Sequence, residues 1–174
     1  MPPVITELAD GTKVAEFTLG YELELKTVVY MQTLLVQGDS YLQERHPDVY
    51  DLQFGIREKL AADPLVQTCL DYSVISSRRF VPREHRHWVL NNGVVQCVEE
   101  LVNRFSPPQI TMETYHPKVP PSGMAKYQRI SDLLRAIGYD EKENSRGTDG
   151  IHYWFYVKRP RSETELAPVP KEGV

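Results

Sequence analysis

Cysteine is scarce in this chain. Cys69 and Cys97 are too few to staple a fold, and they lack the CxxC spacing of zinc and redox motifs. Each falls on an apolar periodic face, where a thiol behaves as a small core hydrophobe. The sequence also lacks a signal-peptide h-region and any apolar run long enough to span a bilayer. A cytoplasmic location without membrane attachment is therefore expected. There is no GxSxG elbow, no GxGxxG after a strand, no phosphate loop of the Walker type and no HExxH. These absences remove the common signatures of serine hydrolases, dinucleotide enzymes, nucleotide triphosphatases and zinc proteases. Internal repeats and a low-complexity core are missing as well.

What remains is an ordinary globular composition. At 174 residues and 41% hydrophobic content, the chain can bury a core without disulfides or metals. One α+β domain over residues 1–159 is expected, with residues 160–174, rich in Pro and Glu, as a flexible tail. The net charge is −4, but it is unevenly divided. Residues 1–77 hold 5 Lys/Arg against 12 Asp/Glu, a balance of −7, and residues 78–174 hold 15 against 12, a balance of +3. An anionic partner should therefore meet the second half. A sequence pI of about 5.7 argues against a domain-wide nucleic-acid surface.

The apolar pattern predicts the elements. Residues 4–8 and 12–19 flank Asp10-Gly11, a pair suited to a two-residue hairpin turn, and Ala15, Phe17 and Leu19 alternate onto one face. From Tyr21 the spacing of Leu23, Tyr30, Met31, Leu34 and Leu35 predicts a helix stopped by Gly38. A second helix is expected from His46-Pro47, burying Val49, Leu52, Ile56 and Leu60. A third is expected from Asp63-Pro64 through Leu65, Val66, Cys69 and Leu70. Val94, Val98, Leu101, Val102 and Phe105 predict a helix to about residue 105, starting near Pro82 or at Gly93. An Asn-Gly hairpin between residues 87 and 97 is the competing reading. The helical layer thus runs over about 21–105.

Pro107-Pro108 should end that layer, and Gln109 to Tyr115 reads as a strand. Ser122 can cap a helix with Tyr127, Ile130, Leu133, Leu134 and Ile137 inward, stopped by Gly138. Tyr139 to Asn144 and Ile151 to Lys158 read as a hairpin joined by RGTDG. Residues 109–158 are therefore predicted as a β-α-β-β unit within an antiparallel or mixed sheet. The N-terminal hairpin and the helical layer are expected to pack on that sheet.

Function has one concentrated signal, the segment SSRRFVPREHRHW at residues 76–88. Arg78, Arg79, Arg83 and Arg86 place four planar guanidinium forks within nine positions, a density suited to phosphate or carboxylate. Internal pairing with the acidic first half is the plainer account. Asn91-Asn92-Gly93 follows, and such residues can turn backbone amides toward an anion at a helix start or simply cap the helix. His85 and His87 form an HxH pair. A metal site would need a third ligand from His116, His152, Glu84 or Glu113, and no fixed spacing supplies one. No metal and no cofactor are expected.

The strand IHYWFYVK sets His152, Trp154 and Tyr156 on one face and Tyr153, Phe155 and Val157 on the other. Such a face could stack bases beside Lys158, Arg159 and Arg161, or lie covered as a central strand. The segment AKYQRISDLLRAIGYDEKE, residues 125–143, resembles the closing part of GNAT superfamily acetyltransferases, in which a helix leads to a Gly-aromatic strand. The acyl-CoA pyrophosphate loop of that superfamily, Arg/Gln-x-x-Gly-x-Gly/Ala, has no counterpart in this sequence, so neither activity nor site residues carry over.

The sequence is therefore read as a small soluble binding protein for an anionic ligand, nucleotide or nucleic acid. Its expected site comprises Arg78, Arg79, Arg83, Arg86, Asn92 and Trp154. A second reading is an enzyme acting on a phosphorylated or carboxylated substrate, with His85, His87 and His116 as acid–base candidates. A third is a protein–protein adaptor or inhibitor that presents the acidic half.

Overall fold

In the strand Thr27–Gln37, TVVYMQTLLVQ, β-branched and aromatic residues dominate, and they favour a pleated chain over a helix. The computed structural model describes residues 2–22, 27–37, 48–60, 67–69, 93–115 and 121–160. These form a mixed sheet and two helices, an α+β architecture. The strands are β1 (Val4–Glu7), β2 (Lys13–Glu22), β3 (Thr27–Gln37), β4 (Val49–Leu60), β5 (Gln67–Cys69), β6 (Gln109–Tyr115), β7 (Tyr139–Arg146) and β8 (Ile151–Lys158). The helices are α1 (Val94–Phe105) and α2 (Pro121–Ala136). Strand order is β1-β2-β3-β4-β6-β8-β7, with β5 pairing β4 off this path.

Where residues 21–69 of the expected helical layer are described, they form strands in place of helices. Residues 27–37 and 49–60 are antiparallel neighbours in register from Thr27↔Leu60 to Gln37↔Tyr50. Burial on both faces explains the misleading pattern. Val49 is fully buried on one face of β4, while Leu52 and Ile56 are buried on the other, so a spacing of three and four residues imitates a helix. Likewise β3 buries adjacent Gln32 and Thr33 on opposite faces. The third expected helix is contradicted where it can be seen, because Gln67–Cys69 pairs with Arg57 to Lys59 as a strand.

Near the N-terminus β1 and β2 are antiparallel, from Val4↔Glu16 to Glu7↔Lys13. Three residues, Ala9, Asp10 and Gly11, close the turn in place of two, with Leu8 N–H donating to Thr12 O at 2.9 Å. Gly11 supplies the left-handed φ of 85° that this geometry requires.

The two helices follow their sequence pattern. α1 turns Val94, Cys97, Val98, Leu101 and Val102 into the core. Because residues 94–97 are helical, the competing Asn-Gly hairpin over 87–97 is excluded. α2 buries Ile130 and Leu134, half-buries Tyr127, Leu133 and Ile137, and ends at Gly138 with φ 104°. Both helices join one core with Leu52, Ile110, Met112, Trp154 and Tyr156.

The β6-α2-β7-β8 unit is closed by polar bonds at its ends. β8 lies between β6 and β7, antiparallel to both, with Ile110↔Tyr156 and Met112↔Trp154 in register. Ser131 Oγ and Tyr156 OH are 2.5 Å apart, and Tyr156 OH also donates to Glu141 Oε2 at 3.2 Å. Tyr139 OH donates to Pro107 O at 2.6 Å. Arg159 pairs with Asp140 at 3.1 Å and donates to the Arg135 carbonyl at 2.5 Å, which also accepts from Gly138 N–H at 3.4 Å at the end of α2.

Candidate functional site

β4 and β6 are parallel, but they pair only at Val49↔Gln109, Tyr50↔Ile110 and Asp51↔Thr111. Beyond Asp51 the two strands part. β4 next uses that edge at Arg57, opposite Cys69 at the end of β5. Among the described residues, no strand pairs with the facing edges of residues 52–56 and 112–115. At about 3.3 Å per residue, the β4 side of this notch is roughly 17 Å long. Its place is chemically meaningful, because open sheets bind ligands in the crevice outside the carboxyl ends of adjacent parallel strands.

The helices reinforce that polarity. α1 leads through residues 106–108 into the start of β6, so its N-terminus lies toward the carboxyl ends of β4 and β6. α2 starts after β6 and ends just before β7, which runs parallel to β6, so its N-terminus lies toward the same end. α1 has no side-chain cap bond at Gly93 and no acidic residue in its first turn. Both helix N-termini therefore point toward the carboxyl ends of β4 and β6, and their dipoles favour negative charge at that end of the sheet.

On the helical side, aromatic rings bridge the parting strands. Tyr127 from α2 stands between Phe54 of β4, at 5.4 Å between centroids, and Trp154 of β8, at 4.9 Å with planes 1° apart. His152 stacks on Trp154 at 4.1 Å, and its Nε2 is 2.7 Å from Asn144 Oδ1. Burial pushes the Tyr127 hydroxyl above its ordinary range, against a hydrogen bond with Thr114 that acts the other way. Lys126 lies over the Phe54 and Tyr127 rings at 5.4 and 6.0 Å. Desolvation holds its amine below the usual lysine range.

The opposite face is acidic. Thr111 Oγ1 donates to Asp51 Oδ1 at 3.3 Å, and Tyr153 OH donates to Asp149 Oδ2 at 3.0 Å. Glu113 lies opposite Tyr153 on the strand that borders the notch. Its carboxyl is raised, first by burial and then by the Asp51 and Asp149 charges. A carboxyl of that kind can exchange a proton nearer neutrality than an ordinary glutamate. Among the described residues, no three His, Cys, Asp or Glu side chains gather where they could hold a metal ion.

Of the expected site residues, the structure describes Trp154. Arg78, Arg79, Arg83, Arg86, Asn92, His85, His87 and His116 lie outside the described residues, as do positions 161–174 of the expected tail. Trp154 is described, and at 3% exposure it is a core residue stacked with Tyr127 and His152. The aromatic face of β8 is packed beneath α2 and does not form an open stacking platform. Phe54, Tyr127 and Lys126 were not singled out as site residues from sequence. Of the three, Tyr127 alone carries a signal in the sequence, the helical phase of α2 that sets it inward. No known protein family, curated protein or solved structure matches the chain.

Proposed function

We propose that the protein binds an anionic nucleotide-type ligand whose extended, amide-bearing arm enters the notch between β4 and β6. The parting of two parallel strands after three paired residues carries this reading. Backbone edges that pair with no strand among the described residues can exchange hydrogen bonds with amides of an inserted arm, as an added strand would. The phosphate end is served by the N-terminal ends of α1 and α2. The sequence carries arginines at residues 78–86, between β5 and α1, whose charge suits a phosphate. Acyl-CoA has this build, an anionic nucleotide with a diamide arm.

Titration calorimetry with CoA, acetyl-CoA and adenosine 3′,5′-bisphosphate tests the reading. Saturable binding is expected, stronger for the two ligands with the arm. Equal affinity for the bisphosphate alone would remove the notch from the account, and no binding at millimolar ligand would refute it.

A second reading, acyl transfer, is favoured by Glu113. Its raised carboxyl borders the notch and could accept a proton from an attacking nucleophile. On this reading the acid–base role moves from the histidines to Glu113. Release of free thiol from acetyl-CoA by the parent protein, lost in Glu113→Gln with binding retained, would establish it.

A further inference from the structure

The sheet ends in two unlike edges. At one end β7 carries Asp140, Lys142, Glu143 and Arg146 and is bulged between Glu141 and Glu143, devices that discourage pairing with another strand. At the other end β1, VITE, pairs with β2 in unbroken register and contains no lysine, proline or bulge. Its charged residue, Glu7, is already paired with Lys13. Among the described residues, no strand takes the outer edge of β1. The exposed large hydrophobics of the described residues, Val4 at 60% and Leu8 at 48%, stand at its start and just past its end. An open edge with apolar flanks is a template for an added strand.

A groove of about 380 Å³ beside the start of β1 selects the occupant. It is lined by Pro2 and Pro3, which lead into β1, and by Gln96, Glu99 and Glu100 of α1. Both glutamates are exposed, and neither forms an ion pair among the described residues. That charge disfavours a second copy of the chain. Antiparallel pairing of two β1 strands about a twofold axis normal to the sheet sets both α1 helices on one face, so that Glu99 and Glu100 of each copy approach like charges. We propose that the outer edge of β1 receives an extended basic segment of a partner protein as an added strand, with its Arg or Lys side chains in the groove against Glu99 and Glu100. Main-chain hydrogen bonds supply the affinity, and the two carboxylates select the positive charge. This surface is separate from the notch, because β2 and β3 stand between β1 and β4.

Fluorescence anisotropy of the full chain with the labelled peptide RVTVTVR, an alternating strand with a cation at each end, tests the proposal against the acidic counterpart EVTVTVE. Saturable binding is expected for the first and at least about tenfold weaker binding for the second. Glu99→Gln combined with Glu100→Gln, at exposed positions outside the core, should weaken RVTVTVR roughly fivefold. On binding, hydrogen exchange should slow at the amides of Val4 to Glu7 and not at those of β7. Equal binding of the two peptides, no binding at millimolar peptide, or an unchanged affinity in the double variant would overturn the proposal. Slowed exchange at residues 52–56 and 112–115 in place of β1 would move the peptide to the notch and overturn it equally. Concentration-dependent dimerisation that protects the β1 amides without peptide would replace the partner with a second copy.

Discussion

Tyr127 and Trp154 lie face to face across the junction of α2 and β8, their ring planes 1° apart and their centroids 4.9 Å apart. The contact holds the start of α2 over the place where β4 and β6 separate. Truncating Trp154 to Ala should cost about 3–5 kcal/mol, since the ring is buried and leaves a large cavity. A double-mutant cycle with Tyr127→Leu should return a coupling of about 0.5–1.5 kcal/mol beyond area burial. Urea denaturation of the four proteins measures both quantities, and a coupling near zero would show that the stack contributes nothing specific.

Leu134 tests the other end of α2. It is fully buried in the core shared with Ile110, Met112 and Tyr156. Leu134→Ala should therefore lower stability by about 2–5 kcal/mol through lost burial and a residual cavity. An unchanged denaturation midpoint would mean that α2 does not seal this core.

These two residues also show what the sequence could reveal. Ile130, Leu134 and Gly138 announced α2 because a helix with one buried face has a single reading, and the Gly at its end has the φ of 104° that other residues resist. Val49, Leu52 and Ile56 misled, because β4 is buried on both sides near Val49, and its apolar spacing then fits a helix as well as a strand. The notch was illegible for a further reason. It depends on β4 and β6 pairing over three residues and then parting, a non-local property of strands separated by residues 61–108. Charge density drew attention to Arg78, Arg79, Arg83 and Arg86, whereas Tyr127 and Lys126 carry no local signature that separates them from core and surface.

Alkaline pH should weaken the fold through buried acids that are kept neutral. Burial raises Tyr139 from an ordinary value of 10.0 to about 12, and Cys97 from 9.0 to about 12. Tyr156 is raised as well, chiefly by burial. A group whose folded value lies above its unfolded value stabilises fully below the unfolded value, and that contribution is lost as pH rises through the folded one. The contribution of these three groups should therefore be constant below about pH 9 and be lost progressively above it. Tyr139→Phe should reduce the slope above pH 10. At neutral pH it should cost about 1–3 kcal/mol, because the Pro107 carbonyl loses its donor. Denaturation midpoints measured from pH 7 to 11 check the sign, and rising stability over that range would contradict the burial of these groups.

The arginine segment offers the sharpest separation between ligand and fold. If Arg79 and Arg83 meet the phosphates of a nucleotide, the double change to Gln should leave the thermal midpoint nearly unchanged. It should weaken CoA binding by at least about tenfold, since each charge-assisted hydrogen bond contributes about 1.5–3 kcal/mol. If they pair instead with the carboxylates of the acidic first half, the same change should leave those carboxylates unmatched. Stability would then fall, by under about 1 kcal/mol for exposed pairs and by about 3–5 kcal/mol for buried ones. Glutamine retains the length and some donors of arginine but not the charge, so lost packing is a small part of either result. Calorimetric CoA affinity and thermal midpoint, measured on the same two proteins, decide the matter. Weaker binding at unchanged stability supports an anion site continuous with the notch, whereas lower stability with unchanged affinity would assign the arginines to the fold and leave the helix N-termini to hold the phosphates.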